Sequence, residues 1–451
     1  YKKYYLAYWN IHAAIDVALE NIKNQQIGGL FNKVKIISDP SFGSKENNIR
    51  GAEVEIILKD DTRFKKRVLI NSILYEINIK IRGLNMKIVD ICTIPLKAKF
   101  RSPSRFALGT RTHSFNVLVK IISDEGITGV GEACPVPFWS SETGKSIVEA
   151  IENHLKPVLI GKDPMHIVSL INIMDRVLDG NNFAKAAVDI ALYDLVGKAL
   201  NVPLHVLLGG KYRDRVEVNS SVGIGSSEEM AQKCKEIVDK GFKFIKVYGG
   251  RDNLREDIAH LEAIRKKIGY KIQIYLEINQ QWDVSNALQS IRELQRFDLL
   301  FVEQPVPKWD LSGLKEIKDR SPVPVAADES VGSLQSVFQI ASGRQADIVN
   351  LYVQKTGGIY RTHQAISVLE AAGMQCFMGS LLELGIATAA AIHLACSIKD
   401  LRLPCYLVGP ERYLQDIVEP PLRISNGYME VPTGPGLGVN LNDDVVDEMR
   451  M

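Results

Sequence analysis

From Val216 onward the chain alternates between two patterns. Short aliphatic runs occur at Val216–Ser220, Phe244–Tyr248, Ile274–Ile278, Leu300–Glu303, Val325–Ala327, Ile348–Tyr352 and Gln375–Met378, with a weaker one at Cys405–Val408. Between them lie longer stretches, such as Ser227–Lys240 and Thr362–Ala372, whose apolar residues return every three or four positions. The short runs read as buried strands and the long ones as amphipathic helices. Eight strands in βα order predict an α/β fold: a parallel sheet closed into a TIM-type (β/α) barrel. An open, doubly wound sheet is the alternative, but no Gly-rich dinucleotide fingerprint follows any strand.

Upstream the order differs. Strands at Ile88–Leu96, Asn116–Ser123 and Gly129–Glu132 come first and helices follow, which predicts an α+β capping domain. Before Met86, Ile11–Ile22 has helical spacing, and Gly51–Leu69 alternates around Asp60-Asp61 as a hairpin would. The expected division is an α+β extension at 1–85, a cap at 86–210, the barrel at 211–410, and a C-terminal segment at 411–451 that returns to the cap.

Composition narrows the class. A hydrophobic share of 46% and a charged share of 24% match an ordinary globular protein, and a formal charge of +2 leaves no basic stripe for nucleic acid. No apolar run is long enough to span a membrane, and Tyr1–Tyr8 lacks a signal-peptide pattern. Six scattered cysteines without CxxC pairs suit reduced thiols, hence a cytoplasmic setting. A chain opening on Tyr1 is a fragment or a processed product.

Three acids stand at the ends of consecutive strands: Glu277, Glu303 and Asp328, spaced 26 and 25 residues apart. A barrel brings such ends to one rim, where three carboxylates repel unless a cation neutralises them. Oxygen donors without a Cys/His cluster suit Mg²⁺, with Mn²⁺ as a substitute.

These motifs resemble the mandelate racemase/muconate-lactonizing branch of the enolase superfamily. The resemblance runs from Met86 to the C-terminus. It rests on Glu277-Ile-Asn279, Glu303-Gln-Pro305 and Asp328-Glu-Ser330, together with Gly129-Val-Gly-Glu-Ala133, Asp189-Ile-Ala-Leu-Tyr-Asp194, Leu207-Leu-Gly-Gly210, Lys355-Thr-Gly-Gly358 and Pro432-Thr-Gly-Pro-Gly-Leu-Gly438. It implies that Glu277, Glu303 and Asp328 hold the metal, with Glu277 standing where Asp is usual. Residues 1–85 faintly resemble the C-terminal part of the MmgE/PrpD dehydratases, with no catalytic residue to transfer.

The superfamily uses Lys or His bases beside Mg²⁺ to form an enediolate. In this branch a Lys-x-Lys ends the second strand and a Lys ends the sixth. Here the second strand keeps Lys246 but has Tyr248, and the sixth has Tyr352, with Lys355 further out. Tyrosine titrates near lysine in water, and Lys246 with Mg²⁺ is expected to lower Tyr248. Tyr248, Tyr352 and Lys246 are therefore the acid/base candidates, and Ser380, Glu383, Asn279 and Lys355 the substrate-binding ones. The loop around Phe100–Thr112 falls where the family's cap covers the barrel mouth.

The Asp-x-Asp of dipeptide epimerases is absent from the eighth-strand region, which reads Cys405-Tyr-Leu-Val-Gly-Pro410. The expected reaction is a lyase or isomerase step on a small carboxylic acid, through loss of the proton alpha to the carboxylate. A racemase or epimerase is the runner-up, and a non-catalytic metal-binding homologue comes from another class. Barrels of this type often assemble, so a homo-oligomer is expected.

Overall fold

A computed structural model describes the backbone of residues 31–38, 51–58 and 63–69, and residues 86–106, 109–250 and 253–451 in full. The chain divides into two compact units, Tyr1–Met86 and Lys87–Met451. In the first, strands β1 (Phe31–Ser38), β2 (Gly51–Leu58) and β3 (Arg63–Leu69) form an antiparallel sheet in the order β1-β2-β3. The pairing of Gly51 with Leu69 through Ile57 with Arg63 is the expected hairpin. Its turn at Asp60-Asp61 and the helix at Ile11–Ile22 lie outside the described residues.

In the second unit, β4 (Ile88–Phe106), β5 (Gly109–Ser123) and β6 (Thr128–Ala133) make an antiparallel sheet followed by helices, the α+β order that the pattern predicted. The helix Asn182–Leu200 is buried on nearly every face. It lies so close to β6 that a Cβ on Gly131 would stand 1.9 Å from the carbonyl oxygen of Ala187. Only glycine permits that approach.

The first barrel run is broken into β7 (Arg215–Glu217), which pairs antiparallel with Tyr428–Glu430, and β8 (Ser220–Val222); the barrel continues through β9 (Phe244–Tyr248), β10 (Gln273–Glu277), β11 (Leu299–Glu303), β12 (Val325–Ala327), β13 (Ile348–Leu351) and β14 (Gln375–Met378). β8 to β14 form one parallel sheet in chain order. The ring closes through Cys405 and Tyr406. Cys405 N donates to Glu217 O, Asn219 N donates to Cys405 O, and Tyr406 N donates to Met378 O. The weak eighth run is therefore present as bridging pairs rather than a full strand. Side-chain oxygens cap several helix starts, as Ser226, Asp283 and Ser333 do, which satisfies backbone donors at the strand-to-helix turns.

Register carries the chemistry. Glu277 pairs with Tyr248 on one side and with Glu303 on the other, and Tyr275 pairs with Lys246. Alternation then sends Lys246, Tyr275, Glu277, Phe301 and Glu303 into the barrel interior. Tyr275 and Phe301 stack at 4.3 Å, with Phe377 5.7 Å from Phe301, and make an aromatic floor beneath the acids. The C-terminal segment reaches the cap sheet, where Arg450 bridges Leu96 and Tyr413 bridges Phe100. All six cysteines are unpaired. Among the described residues no helix is long and apolar enough to cross a membrane.

A buried histidine pair gives the fold a pH dependence of known sign. His205 and His393 stack at 5.3 Å, with their Nδ1 atoms 3.2 Å apart and His393 Nε2 3.2 Å from Leu437 O. Burial holds His393 down at about 4. A folded value below the unfolded one means stability that is complete above the unfolded value and lost as pH falls towards the folded one. Urea unfolding is expected to show a loss of about 2 kcal/mol from this group between pH 7 and pH 5. A His393→Gln variant should have a flatter profile; an equally steep one would refute the assignment.

Candidate active site

The three strand-end acids meet. Carboxylate oxygens of Glu277, Glu303 and Asp328 lie within 4.8 Å of one another, all buried. Lys246 Nζ sits between two of them, 2.6 Å from Glu277 Oε2 and 2.9 Å from Glu303 Oε2. Asn350 Nδ2 donates to Glu303 Oε1 at 2.5 Å, and Asn279 N donates to Glu277 Oε1 at 2.9 Å. With these partners Glu303 is held below the usual carboxylate range: Lys246 and Asn350 outweigh its burial. Glu277 goes the other way, pushed well up by burial and by the charge of Glu303.

Asp328 is gripped from the sixth strand. Lys355 Nζ donates to Asp328 O at 2.7 Å, to Asp328 Oδ1 and to Asn350 O at 3.1 Å, and Tyr352 OH donates to Asp328 Oδ2 at 3.0 Å. Burial still raises Asp328, against the pull of Lys355. Next to it, burial pushes Glu329 up to about 8, with Asn279 Nδ2 donating to its Oε1 at 3.1 Å.

The donor set passes a test for a hard divalent cation. Three buried carboxylates converge on one point, and the Oδ1 of both Asn279 and Asn350 are buried without a hydrogen-bond partner. All-oxygen donors of this kind fit Mg²⁺-type ions.

A small cavity of about 60 Å³ opens over the acids. Lys246, Tyr248, Glu277, Asn279, Asp328, Tyr352 and Ser380 line it. Lys355 and Glu383 do not. Lys355 is spent on Asp328 and Asn350, and Glu383 accepts from Ser380 Oγ and from Leu381 N. Both stand one step behind the cavity wall. At Tyr248 burial outweighs Lys246 and raises the phenol well above its ordinary value. The Tyr352 phenol is raised in the same way, with Asp328 adding to the effect.

Sequence reasoning missed Tyr406, which lines the cavity and lies 2.8 Å from Ser221 Oγ, with Lys246 Nζ 5.1 Å from its ring centroid. It also missed Trp139, edge-on to Tyr352 at 5.7 Å, and Phe138, stacked on Phe106 at 5.3 Å over the mouth. The Phe100–Thr112 loop does reach the cavity, through Ser104, Phe106 and Arg111. Arg111 donates to Leu381 O, and Glu132 from the cap sheet accepts from Leu384 N at 2.8 Å and Ala387 N at 3.0 Å. The cap thus fixes the barrel loop that carries Ser380.

Residues 88–209 match the model of the mandelate racemase/muconate lactonizing enzyme N-terminal domain, and residues 229–445 match that of the enolase C-terminal domain-like family. The chain belongs to this enzyme family. It is 33% identical to the N-succinyl-L-Arg/Lys racemase of Bacillus cereus over 81% of its own length and 98% of the relative's. It is 35% identical to the L-Ala-D/L-Glu epimerase of Bacillus subtilis over 78% of its length and 97% of that enzyme. The muconate lactonizing enzyme of Pseudomonas fluorescens, solved with muconolactone, superposes with a TM-score of 0.79 at 29% identity, covering 81% of this chain and all of that one. The resemblance read from the motifs holds for the family, the fold and the isomerase class.

Proposed function

We propose that this enzyme binds Mg²⁺ through Glu277, Glu303 and Asp328 and removes the proton alpha to the carboxylate of a small acid, followed by cycloisomerisation or β-elimination. The observation that carries the reading is Lys246 clasped between Glu277 and Glu303. Held by these three acids, Mg²⁺ or Mn²⁺ would supply positive charge beside the reacting carboxylate.

Lys246 is the proposed base. Burial is the largest influence on it and lowers its pKa; the charges of Glu277 and Glu303 override that and hold the ammonium high. With those carboxylates turned to a cation, burial would dominate and favour the neutral amine. Tyr352 is the proposed acid. β13 lies four strands from β9 in an eight-membered ring, so its phenol faces the substrate from the other side. A phenol raised by burial keeps its proton until an enediolate draws it. Tyr248, on the strand of Lys246, is proposed to hydrogen-bond the substrate or the amine. Ser380 and Asn279 are assigned to substrate contact, and Lys355 and Glu383 to holding Asp328 and the 380–384 loop.

This asymmetry, an amine on one side and a firmly protonated phenol on the other, favours a one-way lyase or isomerase step. A racemase needs two bases and is the second reading, supported by the identity to the Bacillus cereus enzyme. The test is deuterium wash-in: a library of carboxylic acids is incubated with enzyme and MgCl₂ in D₂O and read by NMR. Exchange at the alpha carbon that stops with EDTA is the expected result. Silence across amino-acid derivatives, hydroxy acids and unsaturated diacids would favour a binding protein instead.

A further inference from the structure

Lys355 grips Asp328, yet strand pairing sets the place of neither. β12 and β13 pair at Ala326 with Ile348 and at Ala327 with Val349, and the ladder stops just before Asp328. Lys355 lies beyond the end of β13 at Leu351. Both groups stand on loop segments whose spacing must be fixed by something else.

A residue from outside the barrel spans the gap. Asn182 opens the helix Asn182–Leu200, and its Nδ2 donates to Gly332 O at 2.8 Å and to Lys355 O at 2.7 Å. A primary amide nitrogen carries two hydrogens, and here one goes to the loop after Asp328 and one to the turn of Lys355. Both partners are carbonyls, so only the nitrogen of the amide can face them. Further along, the same helix grips the turn again. Asp189 Oδ2 accepts from Ile359 N, and a Cβ on Gly358 would stand 2.5 Å from the Asp189 carboxyl carbon. The turn is thus pinned to one helix on both sides of its Gly357-Gly358 corner.

The start of that helix is held by the cap segment over the catalytic cavity. Phe183 N and Ala184 N donate to the two carboxylate oxygens of Glu142, at 2.9 and 3.1 Å. Glu142 closes the segment whose Val136, Phe138 and Trp139 line the cavity. Within it, Ser140 Oγ accepts from Val136 N at 3.1 Å and donates to Glu142 O at 3.2 Å. At its other end Cys134 N donates to Gln354 Oε1 at 2.7 Å, next to Lys355.

We infer that Asn182 is a positioning residue for the acid cluster: its amide sets the distance between the Asp328 loop and the Lys355 turn, and Glu142 links that distance to the cap segment over the cavity. The effect on Mg²⁺ rests on the proposed metal site; the tie between the loops does not. Neither Asn182 nor Glu142 lines the cavity, so no strand-end motif points to them.

Asn182→Leu keeps the bulk of the side chain and removes both donors. Hydrogen exchange of the metal-free protein, read by mass spectrometry, is expected to rise in peptides 328–333 and 353–361 together. Calorimetry should show Mg²⁺ bound roughly 10–100-fold more weakly, the usual cost of losing a residue that orients a metal ligand. In the wild type Mg²⁺ should also slow exchange at 134–142, a segment without a ligand, and Asn182→Leu and Glu142→Gln should each abolish that response. Lys198→Met controls for stability, because it removes bonds to Thr128 O and Asp194 at the far end of the same helix. It should lower the melting temperature and leave Mg²⁺ affinity and both loops unchanged. Unaltered exchange at either loop in Asn182→Leu, or an equal loss of Mg²⁺ affinity in Lys198→Met, overturns the inference. Loosened loops with undiminished Mg²⁺ affinity overturn it too, and wild-type protection that never reaches 134–142 refutes the Glu142 link. Loosened loops in a protein whose wild type binds no Mg²⁺ leave the tie standing and sink the metal reading alone.

Discussion

Glu277→Gln is expected to leave the metal-free protein about as stable as the wild type while abolishing its response to Mg²⁺. Burial and the neighbouring Glu303 charge hold the Glu277 carboxyl well above its ordinary range, so this position favours an uncharged side chain more than an exposed glutamate does. A glutamine of the same length then changes little. Glu303 is the opposite case, because it is ionised and paired with Lys246. Glu303→Gln leaves a buried ammonium short of its charged partner, a loss that can reach about 3–5 kcal/mol. Wild-type protein should melt later with Mg²⁺, by about 2.7 kcal/mol of added stability at a hundredfold excess over Kd. In Glu277→Gln that shift should vanish, and turnover should fall on the order of 10³-fold or more. Thermal melts with and without MgCl₂ decide it: a retained Mg²⁺ shift in Glu277→Gln would remove this residue from the metal site.

The acids could be read from the sequence because a barrel turns a regular spacing into a meeting point. Glu277, Glu303 and Asp328 each follow an apolar run; Glu277 pairs with Glu303, and Asp328 lies two residues beyond Ala326, the partner of Glu303, so all three reach one rim. Strength of pattern set the limit elsewhere. The eighth strand is two residues of bridging pairs, too short for a periodic signal, so Tyr406 was invisible as a site residue. Lys355, the outer lysine of the sixth-strand motif, is expected among the substrate ligands. The turn after β13 instead aims it back at Asp328. His205 and His393 lie 188 residues apart and carry no local motif. No spacing reveals how far burial opposes Lys246 at Tyr248. Lys246 does pull in the predicted direction, but the depth of burial decides the sign.

Tyr352→Phe is expected to separate the two halves of the reaction. The proposed base, Lys246, reaches the substrate from β9, and the proposed acid, Tyr352, from β13 across the ring. Loss of the acid should leave proton removal intact, so the variant should still wash deuterium into the alpha carbon. Product formation should drop by about 10²–10⁴-fold, the usual contribution of a positioned acid. Lys246→Met should lose both, since nothing else on its side of the cavity can take the proton: Tyr248 is held protonated by burial. Asp328 keeps Lys355 as a donor when the Tyr352 hydroxyl is gone, so the metal shift of the melt should survive in Tyr352→Phe. This control separates a lost acid from a damaged metal site. The same pair of variants weighs the racemase reading, in which each side must take a proton from one enantiomer. Tyr352→Phe would then block wash-in from one enantiomer and spare the other. Wash-in that disappears for every substrate form while the Mg²⁺ shift persists would show that Tyr352, and not Lys246, begins the chemistry.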